Sequence, residues 1–392
     1  MQRSKVDLMF EERGRSWDFH WELFMCVVAL ILFGTIMVHS ATTMFVDQTH
    51  SIGENHVMLK HLLSIGVGGL LCGAIYWKGR MIWIERITPY VFVLAVLMLF
   101  LVFIPGIGHK AKGAARWISF GFANFQVSEV MKVACIMMAA HYCSRSLTQM
   151  HSWFKVVVPM GMTIAVIAFL LMNQPDLGAT VVISSEVLGV FFLAGLSLWI
   201  FSGGVIAAVV SFIALICITP WRLQRVFAFL DPWDEAYVLG KGYQLTHSLI
   251  AFGRGELFGV GLGGSVEKLY YLPEAHTDFI LAVVAEETGF IGVVFVLLMY
   301  YWLIRYAFEI GRQAVKLERF YSGLVAQGIG VWFGVQSVIN IGVATGFFPT
   351  KGLTLPFVSY GSSAMVMSLV AVGLLLRVDK ENKILMRGGR VS

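Results

Sequence analysis

The feature that most constrains this chain is a series of ten apolar blocks, each about 20 residues long. Apolar residues fill every helical face within a block, whereas a helix at the surface of a soluble protein keeps a polar face. Charged residues make up 14% of the sequence, against about 25% in a typical soluble protein. A block of this length is long enough to cross the hydrocarbon core of a bilayer. The sequence therefore excludes a large soluble core and indicates membrane-spanning helices.

The predicted fold class is all-α, a polytopic integral membrane protein with about ten transmembrane helices and a long extracytoplasmic loop between helices 7 and 8. The predicted spans are Leu23–Ser40, His56–Tyr76, Thr88–Ile104, Gln126–Cys143, Phe154–Met172, Ala179–Leu196, Leu198–Ile218, Asp278–Ile304, Tyr321–Ala344 and Pro356–Leu376.

The predicted organisation is a cytoplasmic N-terminal tail, residues 1–22, a transmembrane domain, residues 23–376, and a cytoplasmic C-terminal tail, residues 377–392. The large outer loop covers about 220–277. The first block is too long for a signal-peptide core and no small-x-small site follows it, so it is expected to be a retained anchor. Of the 29 Lys and Arg residues, eighteen lie in segments assigned to the cytoplasm and nine in outer loops. The positive-inside rule accounts for this distribution, and the net charge of +5 therefore needs no nucleic-acid partner.

Cysteine and histidine patterns exclude two kinds of site. The five cysteines are scattered through the spans without the spacing of a metal site or a disulfide framework. The ten histidines form no H-x-x-x-H pair, so a zincin-type metalloprotease is not expected.

Three outer loops carry basic residues, although the positive-inside rule places most Lys and Arg residues on the cytoplasmic side. Such a surface suits an anionic ligand such as a lipid-linked pyrophosphate, and solvated charges or contacts with lipid headgroups are the alternative. The residues are Lys110, Lys112 and Arg116 in the first loop, Arg222, Arg225, Lys241, Arg254 and Lys268 in the second, and Lys351 in the third.

Ionisable residues within the spans are a second guide, because burying charge in hydrocarbon is costly. Glu129 and Lys132 lie at i and i+3, on one helix face, where they can form a salt bridge or contact a ligand. Asp176 is expected to cap the sixth span rather than to act in catalysis. Asp278 opens the eighth span. The other carboxylates in this group are Glu186, Glu286 and Glu287.

The outer loop from Trp221 to Thr277 is too long for a simple turn. Its segment Tyr243–Phe252 is apolar enough to form a short helix in the membrane interface. The glycines from Gly253 to Gly264 are expected to form tight turns. A dinucleotide-binding fingerprint is rejected, because no strand or βαβ unit precedes them.

Five segments of the chain, taken together and in this order, resemble the SEDS family of peptidoglycan glycosyltransferases, from about Lys112 to Ser363. Within them, the motifs AFGRG, YLPEAHTD and PTKGLTLP are more similar to the division-type branch, FtsW, than to the elongation-type branch, RodA. The segments are KGAARWISFGFANFQVSEVMK, NQPDLGATVV, RVFAFLDPWDEAYVLGKGYQLTHSLIAFG, AFGRGELFGVGLGGSVEKLYYLPEAHTDFILAVVAEETG and INIGVATGFFPTKGLTLPFVSYGSS. The chain departs from the family pattern at Val127, Gly264 and Ser362.

The resemblance implies polymerisation of lipid II, the undecaprenyl-pyrophosphoryl disaccharide-pentapeptide, into β-1,4 glycan strands with release of undecaprenyl pyrophosphate. An inverting displacement needs a base at the acceptor hydroxyl and positive charge at the leaving pyrophosphate. Asp278 matches the family's essential aspartate and is the predicted base, with an N-cap as the alternative role. His276 and Ser359 are candidates for orienting Asp278, with an ordinary loop position as the alternative for His276. The residues predicted to bind substrate are Lys112, Arg116, Glu129, Lys132, Arg222, Arg225 and Lys351.

The resemblance also implies partners and a location. The expected partners are lipid II, a class B penicillin-binding transpeptidase of the FtsI type, other divisome membrane proteins and membrane lipids. The expected location is the bacterial inner membrane at the division septum. No cofactor is demanded by the sequence, although a divalent cation, Mg²⁺ or Mn²⁺, would suit a pyrophosphate. The competing hypotheses are a lipid II flippase and a non-catalytic scaffold that recruits a transpeptidase.

Overall fold

A computed structural model of the protein describes residues 19–43, 53–106, 108–111, 114–119, 124–147 and 153–390, and within them it is a bundle of long helices. Ten of these helices stand at the ten predicted spans, so the predicted fold class is confirmed. In chain order the helices are α1 Trp21–Thr42, α2 Gly53–Lys78, α3 Met81–Leu101, α4 Val127–Arg145, α5 Trp153–Asn173, α6 Leu177–Leu193, α7 Leu198–Ile218, α8 Pro220–Leu230, α9 Glu235–Val238, α10 Tyr243–Gly255, α11 Ile280–Lys316, α12 Phe320–Ala344 and α13 Ser362–Met386.

The membrane-crossing character of the helices follows from their length and composition. In the described part of the chain, α1, α2, α3, α7, α11, α12 and α13 are long and apolar enough to cross a bilayer. Shorter apolar stretches occur in α5, over Val158–Asn173, and in α6. The remaining long helix, α4, carries buried polar residues and packs against α3, α6 and α12. The chain is therefore a multi-pass membrane protein whose central helix is shielded from lipid by its neighbours.

Helix ends differ from the predicted spans wherever a helix continues beyond its apolar part. Helix α11 ends at Lys316 rather than Ile304, and α3 begins at Met81 rather than Thr88. Hydropathy marks only the portion of a helix that meets hydrocarbon, and polar turns beyond it stay helical. Helix α13 instead begins later than predicted, at Ser362, because residues 356–361 form a turn.

The connection between α3 and α4 contains a small antiparallel sheet that the all-α prediction did not include. Its strands are β1 Gly108–Ala111, β2 Ala114–Ser119 and β3 Asn124–Gln126, in the order β1-β2-β3. Gly108 pairs with Ile118, and Trp117 pairs with Gln126. Strand pairing supplies hydrogen-bond partners to backbone groups that a folded-back loop would otherwise leave unpaired.

The large loop packs against a break in α11. Gly289 interrupts that helix with φ +68° and ψ −164°, a conformation that glycine adopts most readily. Backbone N–H groups of the loop restore part of the lost pairing: Val260 N donates to Glu286 O at 2.9 Å. Phe290 N, beyond the break, donates to Glu256 O at 2.9 Å. The prediction of tight glycine turns is confirmed, since Gly259, Gly261 and Gly263 all have positive φ.

The predicted short helix Tyr243–Phe252 is present as α10, which continues to Gly255 and packs against α11. Leu245 and Ala251 of α10 are buried, and Ser248 Oγ donates to Ala344 O, at the end of α12, at 2.7 Å. That this helix lies in the membrane interface stays a prediction.

Candidate functional site

The predicted base, Asp278, lies at the junction of the large loop and α11. It is half-buried and precedes Phe279, the N-cap residue of α11. Its carboxylate contacts the loop between α12 and α13: a Cβ added to Gly352 would lie 2.7 Å from Asp278 Oδ2. Glycine at position 352 therefore leaves the room that this carboxylate occupies.

The backbone on either side of this contact is held by one amide side chain. Asn340 Nδ2, near the end of α12, donates to Asp278 O at 2.9 Å and to Leu353 O at 2.6 Å. Asn340 was not selected from the sequence. A buried amide in an otherwise apolar span is the signal that would have identified it, since such a group needs partners in hydrocarbon.

Four of the predicted basic residues come together beside this junction. Lys351, next to Gly352 in the chain, interacts electrostatically with Arg225, Arg222 and Arg116, and with the nearby carboxylate of Asp176. Burial, followed by the repulsion of Arg225 and Arg222, lowers the pKa of Lys351 from its ordinary value of 10.5 to about 8. We call Arg116, Arg222, Arg225 and Lys351 the basic cluster. Its members come from β2, α8 and the α12–α13 loop, so three distant segments build one positively charged surface.

Two members of the basic cluster flank an aromatic ring on α8. The guanidinium carbons of Arg222 and Arg225 lie 5.2 and 5.4 Å from the centre of the Trp221 ring, within the range of cation–π attraction. Burial lowers the pKa of Arg225. Arg222 Nε is buried and has no hydrogen-bond partner in the described part of the chain. A phosphate oxygen would satisfy such a donor.

Arg116 joins the cluster through the turn that precedes α6. Its Nε donates to Gln174 O at 3.0 Å, and its second guanidinium nitrogen donates to Pro175 O. The next residue, Asp176, accepts a hydrogen bond from Ala179 N at 3.2 Å. The predicted capping role of Asp176 is thus confirmed, and the cap fixes the turn to which Arg116 binds.

Glu129 and Lys132 form the predicted salt bridge below this surface. Lys132 Nζ lies 2.8 Å from Glu129 Oε2 and donates to Gln336 Oε1 at 2.9 Å. Gln336 Nε2 in turn donates to Thr354 O at 2.7 Å, which connects the pair to the loop that carries Lys351. The side chain of Lys132 is only 1% exposed. The observed role of this pair is therefore to support the loop, and its direct contact with substrate stays a prediction.

The two candidates for orienting Asp278 both lie in turns next to it. His276 O accepts a hydrogen bond from Tyr360 N at 2.9 Å, and the two rings are 5.7 Å apart. Ser359 Oγ accepts from Leu355 N at 2.8 Å, so Ser359 closes the turn between residues 355 and 359. An effect of either residue on Asp278 stays a prediction. Tyr360, which joins the two segments, was not selected from the sequence.

Two basic residues of the large loop pair with carboxylates of α11. Lys268 is buried and its Nζ lies 2.7 Å from Glu287 Oε1, so the interpretation of Lys268 as part of a basic outer surface is wrong. Arg254 Nη1 lies 3.3 Å from Glu286 Oε1, but its side chain is 44% exposed, and its contact with an anionic ligand or with lipid headgroups stays a prediction. Lys112, another predicted ligand, lies outside the described residues.

The described residues contain no group of three or more His, Cys, Asp or Glu side chains that could hold a metal ion. The expectation of a divalent cation that bridges the pyrophosphate stays a prediction.

Comparisons with known proteins agree with this architecture. Residues 20–384 match a family described as cell cycle protein, FtsW/RodA/SpoVE. The chain is 48% identical over 381 residues to a probable peptidoglycan glycosyltransferase FtsW of Burkholderia thailandensis, a match that covers 97% of this chain and 82% of the relative. It is 44% identical to the protein of the same name from Polynucleobacter necessarius, covering 99% and 92%.

Two solved structures extend the likeness to three dimensions. A chain of a peptidoglycan synthase complex, described as coordinating polymerization and crosslinking, matches with a TM-score of 0.74 at 25% identity, covering 93% of this chain and 98% of that one. The rod shape determining protein RodA of Thermus thermophilus matches with a TM-score of 0.64 at 26% identity, covering 93% and 97%. The chain belongs to the FtsW/RodA/SpoVE family of cell cycle proteins, because the family match covers residues 20–384 and a relative is 48% identical to it.

Proposed function

We propose that this protein is a peptidoglycan glycosyltransferase that polymerises lipid II for septal wall synthesis, with Asp278 as its general base. The observation that carries the proposal is the contact of the Asp278 carboxylate with Gly352, next to Lys351 of the basic cluster. A carboxylate and a concentration of positive charge thus lie side by side at one end of the bundle, which supports the proposal. Relatives named peptidoglycan glycosyltransferase FtsW supply the reaction class.

The reaction implied by the resemblance assigns a role to each of these groups. Asp278 takes the proton of the acceptor GlcNAc 4-hydroxyl, and the oxygen attacks C1 of MurNAc on the donor. The bond from C1 to the pyrophosphate oxygen breaks, and undecaprenyl pyrophosphate leaves with the electron pair. A single displacement converts the α-linked donor into a β-1,4 link. The added negative charge on the leaving group is stabilised by the basic cluster, whose guanidinium groups match phosphate oxygens in geometry.

The proposal includes a partner and an orientation. A peptidoglycan synthase that links polymerisation to crosslinking supports pairing of this chain with a class B penicillin-binding transpeptidase of the FtsI type. The Asp278 end of the bundle faces the extracytoplasmic side and both termini are cytoplasmic, as the distribution of Lys and Arg supports.

The test is polymerisation of labelled lipid II by the purified protein, with and without its transpeptidase partner. An Asp278→Asn variant is expected to lose at least about 100-fold in rate, because a general base contributes about 10²–10⁴-fold. Glu235→Gln is the matched control, since Glu235 is exposed on the same loop and its loss is expected to leave the rate unchanged.

Three outcomes would contradict the proposal in different ways. Full activity of Asp278→Asn would exclude this residue as the base. Transfer of lipid II across vesicle membranes, with no glycan chains even beside the partner, would favour a flippase. Absence of both activities, together with stimulation of the partner's crosslinking, would favour a scaffold.

A further inference from the structure

A polar cavity lies at the end of the bundle opposite Asp278. It has a volume of about 300 Å³ and lies between the start of α3, the end of α4 and the connection from α11 to α12. Helix α11 begins two residues after Asp278 and ends at Lys316, just before this connection. The cavity is thus separated from the proposed active site by the thickness of the bundle. We call it the Glu318 cavity.

The Glu318 cavity is lined by charges of both signs. Glu85 and Arg145 face it from α3 and α4, and Glu318 and Arg319 face it from the α11–α12 connection. In the described part of the chain, the side chains of Glu85, Arg145 and Glu318 form no ion pair within 4.0 Å. These three groups are therefore available to a ligand.

Arg319 is fixed on the cavity wall by another carboxylate. Its Nη2 is paired with Glu381, which also accepts from Arg377 Nε at 2.8 Å and from Met81 N at 3.0 Å. Arg319 Nη1 is buried and has no hydrogen-bond partner among the described residues. A buried donor that is left unsatisfied is unusual in a folded protein, and a bound acceptor would satisfy it.

A second buried nitrogen without a partner belongs to His141, which lies on α4 one turn before Arg145. His141 is 7% exposed, and its Nδ1 has no partner in the described structure. Its ring lies 6.4 Å from that of Tyr321, which lines the cavity. His141 does not itself line the cavity, so this second unsatisfied nitrogen lies next to the wall that Tyr321 forms.

The rim of the Glu318 cavity is apolar. Ile82 and Phe320 line it and are exposed large hydrophobic residues. At the end of membrane-spanning helices, exposed apolar side chains meet lipid rather than water. The cavity thus combines a polar base with a lipid-facing rim, and its volume is at the lower limit for a small-molecule site, about 300–1,000 Å³. These properties suit the headgroup of an amphiphile better than a whole soluble metabolite.

We propose that the Glu318 cavity binds the zwitterionic headgroup of a phosphoethanolamine phospholipid. The phosphate lies against Arg145 and Arg319, and the ammonium group lies against Glu85 and Glu318. An anionic headgroup without an ammonium group would bind the two arginines but would be repelled by the two carboxylates. A zwitterionic headgroup pairs with the arginines through its phosphate and with the carboxylates through its ammonium group. This site is independent of the proposed catalytic function.

The experiment is native mass spectrometry of the full-length protein, delipidated in detergent and titrated with three lipids of matched acyl chains. Phosphatidylethanolamine is expected to bind at least ten-fold more tightly than phosphatidylglycerol, which has no ammonium group. Phosphatidylcholine, whose cation has no N–H donor, is expected to bind with intermediate affinity. A Glu85→Gln, Arg145→Gln double variant is expected to lose at least ten-fold in affinity for phosphatidylethanolamine. Arg312→Gln is the matched control, because Arg312 is exposed near the same end of α11 but does not line the cavity.

Thermal unfolding of each variant shows whether it remains folded, and the two single variants are measured in case the double variant does not. Competition with inorganic phosphate and with soluble glycerophosphoethanolamine identifies the source of the ligand. Displacement by glycerophosphoethanolamine alone supports the headgroup site. Equal displacement by inorganic phosphate would overturn it in favour of a simple anion site. Unchanged binding of phosphatidylethanolamine to folded variants, or equal binding of phosphatidylglycerol to the wild type, would also overturn the proposal.

Discussion

At the scale of single residues, Lys351 shows how burial and charge adapt one side chain to an anionic ligand. Its ammonium group is buried and lies near the guanidinium groups of Arg225 and Arg222, so the free protein holds its proton less firmly than an exposed lysine would. A bound pyrophosphate would reverse this effect by supplying negative charge. Lys351 is therefore expected to report on the occupancy of the basic cluster.

The pH dependence of the reaction follows from this lysine. With its pKa at about 8, Lys351 is charged at neutral pH and becomes neutral above that value, so kcat/KM for lipid II is expected to fall on the alkaline side. Lys351→Arg keeps the charge and is expected to move the alkaline limb to higher pH. Lys351→Gln is expected to lose about 10–100-fold, since a charge-assisted hydrogen bond contributes about 1.5–3 kcal/mol. An alkaline limb that is identical in the wild type and the Arg variant would contradict this assignment.

The same lysine affects stability with a definite sign. Between pH about 8 and 10.5 the unfolded chain binds this proton more fully than the folded chain does. Lys351 therefore causes the free energy of unfolding to increase as the pH rises through that interval. The gain should be absent in Lys351→Gln, which thermal unfolding in detergent across this pH range can measure.

At the scale of elements, the large loop is joined to α11 by close backbone contact and by buried charge. Gly255 ends α10, and a Cβ at this position would lie 1.9 Å from Ala285 O. Gly253, two residues earlier on the same helix, has nothing within 4 Å of the same added atom. These two glycines form a matched pair for testing the junction.

Gly255→Ala is expected to destabilise the protein by about 1–3 kcal/mol, because overpacking forces the backbone apart. Gly253→Ala is expected to be neutral or slightly stabilising, since alanine is the better helix former. Thermal unfolding in detergent compares the two variants directly. Equal unfolding temperatures for both would show that α10 does not pack on α11 as described.

The buried pair Lys268 and Glu287 holds the same loop from the other side. Ser40 of α1 also contributes, with its Oγ 2.7 Å from Glu287 Oε1. Lys268→Met is expected to cost about 3–5 kcal/mol, because it leaves Glu287 buried without its cation. Adding Glu287→Gln to this variant is expected to restore much of the loss. A double variant as unstable as the sum of its single variants would show that the two residues are not coupled.

In the whole molecule, different functions are proposed for the two ends of the bundle. The Asp278 end carries the proposed base and the basic cluster, and the opposite end carries the Glu318 cavity. The termini of the described chain lie at the opposite end, since α1 and α13 each cross the bundle. This polarity is required if the reaction occurs on one side of a membrane and the charged tails remain on the other.

Cysteine labelling tests this orientation. Glu235→Cys is expected to react with a membrane-impermeant maleimide in intact spheroplasts, and Arg312→Cys is expected to react only after the membrane is opened. Both positions are exposed, so accessibility to the reagent depends on which side each one faces. A background without Cys217, an exposed native cysteine, removes unwanted labelling. The reverse pattern would contradict the proposed topology.

The number and order of the spans were predictable from the sequence alone. A run of about 20 apolar residues is a local property, and hydrocarbon admits no other backbone arrangement for an isolated span than a helix with its own hydrogen bonds. The capping of α6 by Asp176 and the pairing of Glu129 with Lys132 were predictable for the same reason, because both depend on residues within one turn.

Which charges share a site depends on tertiary packing and was not predictable from the sequence. Arg116 and Lys351 are more than 200 positions apart in the sequence and come together beside the turn of Asp176. Lys268, equally basic and closer to Asp278 in the chain, is instead neutralised by Glu287. Hydropathy and charge counts do not distinguish these lysines, because the free energy of a buried charge depends on the partner that packing places within a few ångströms of it.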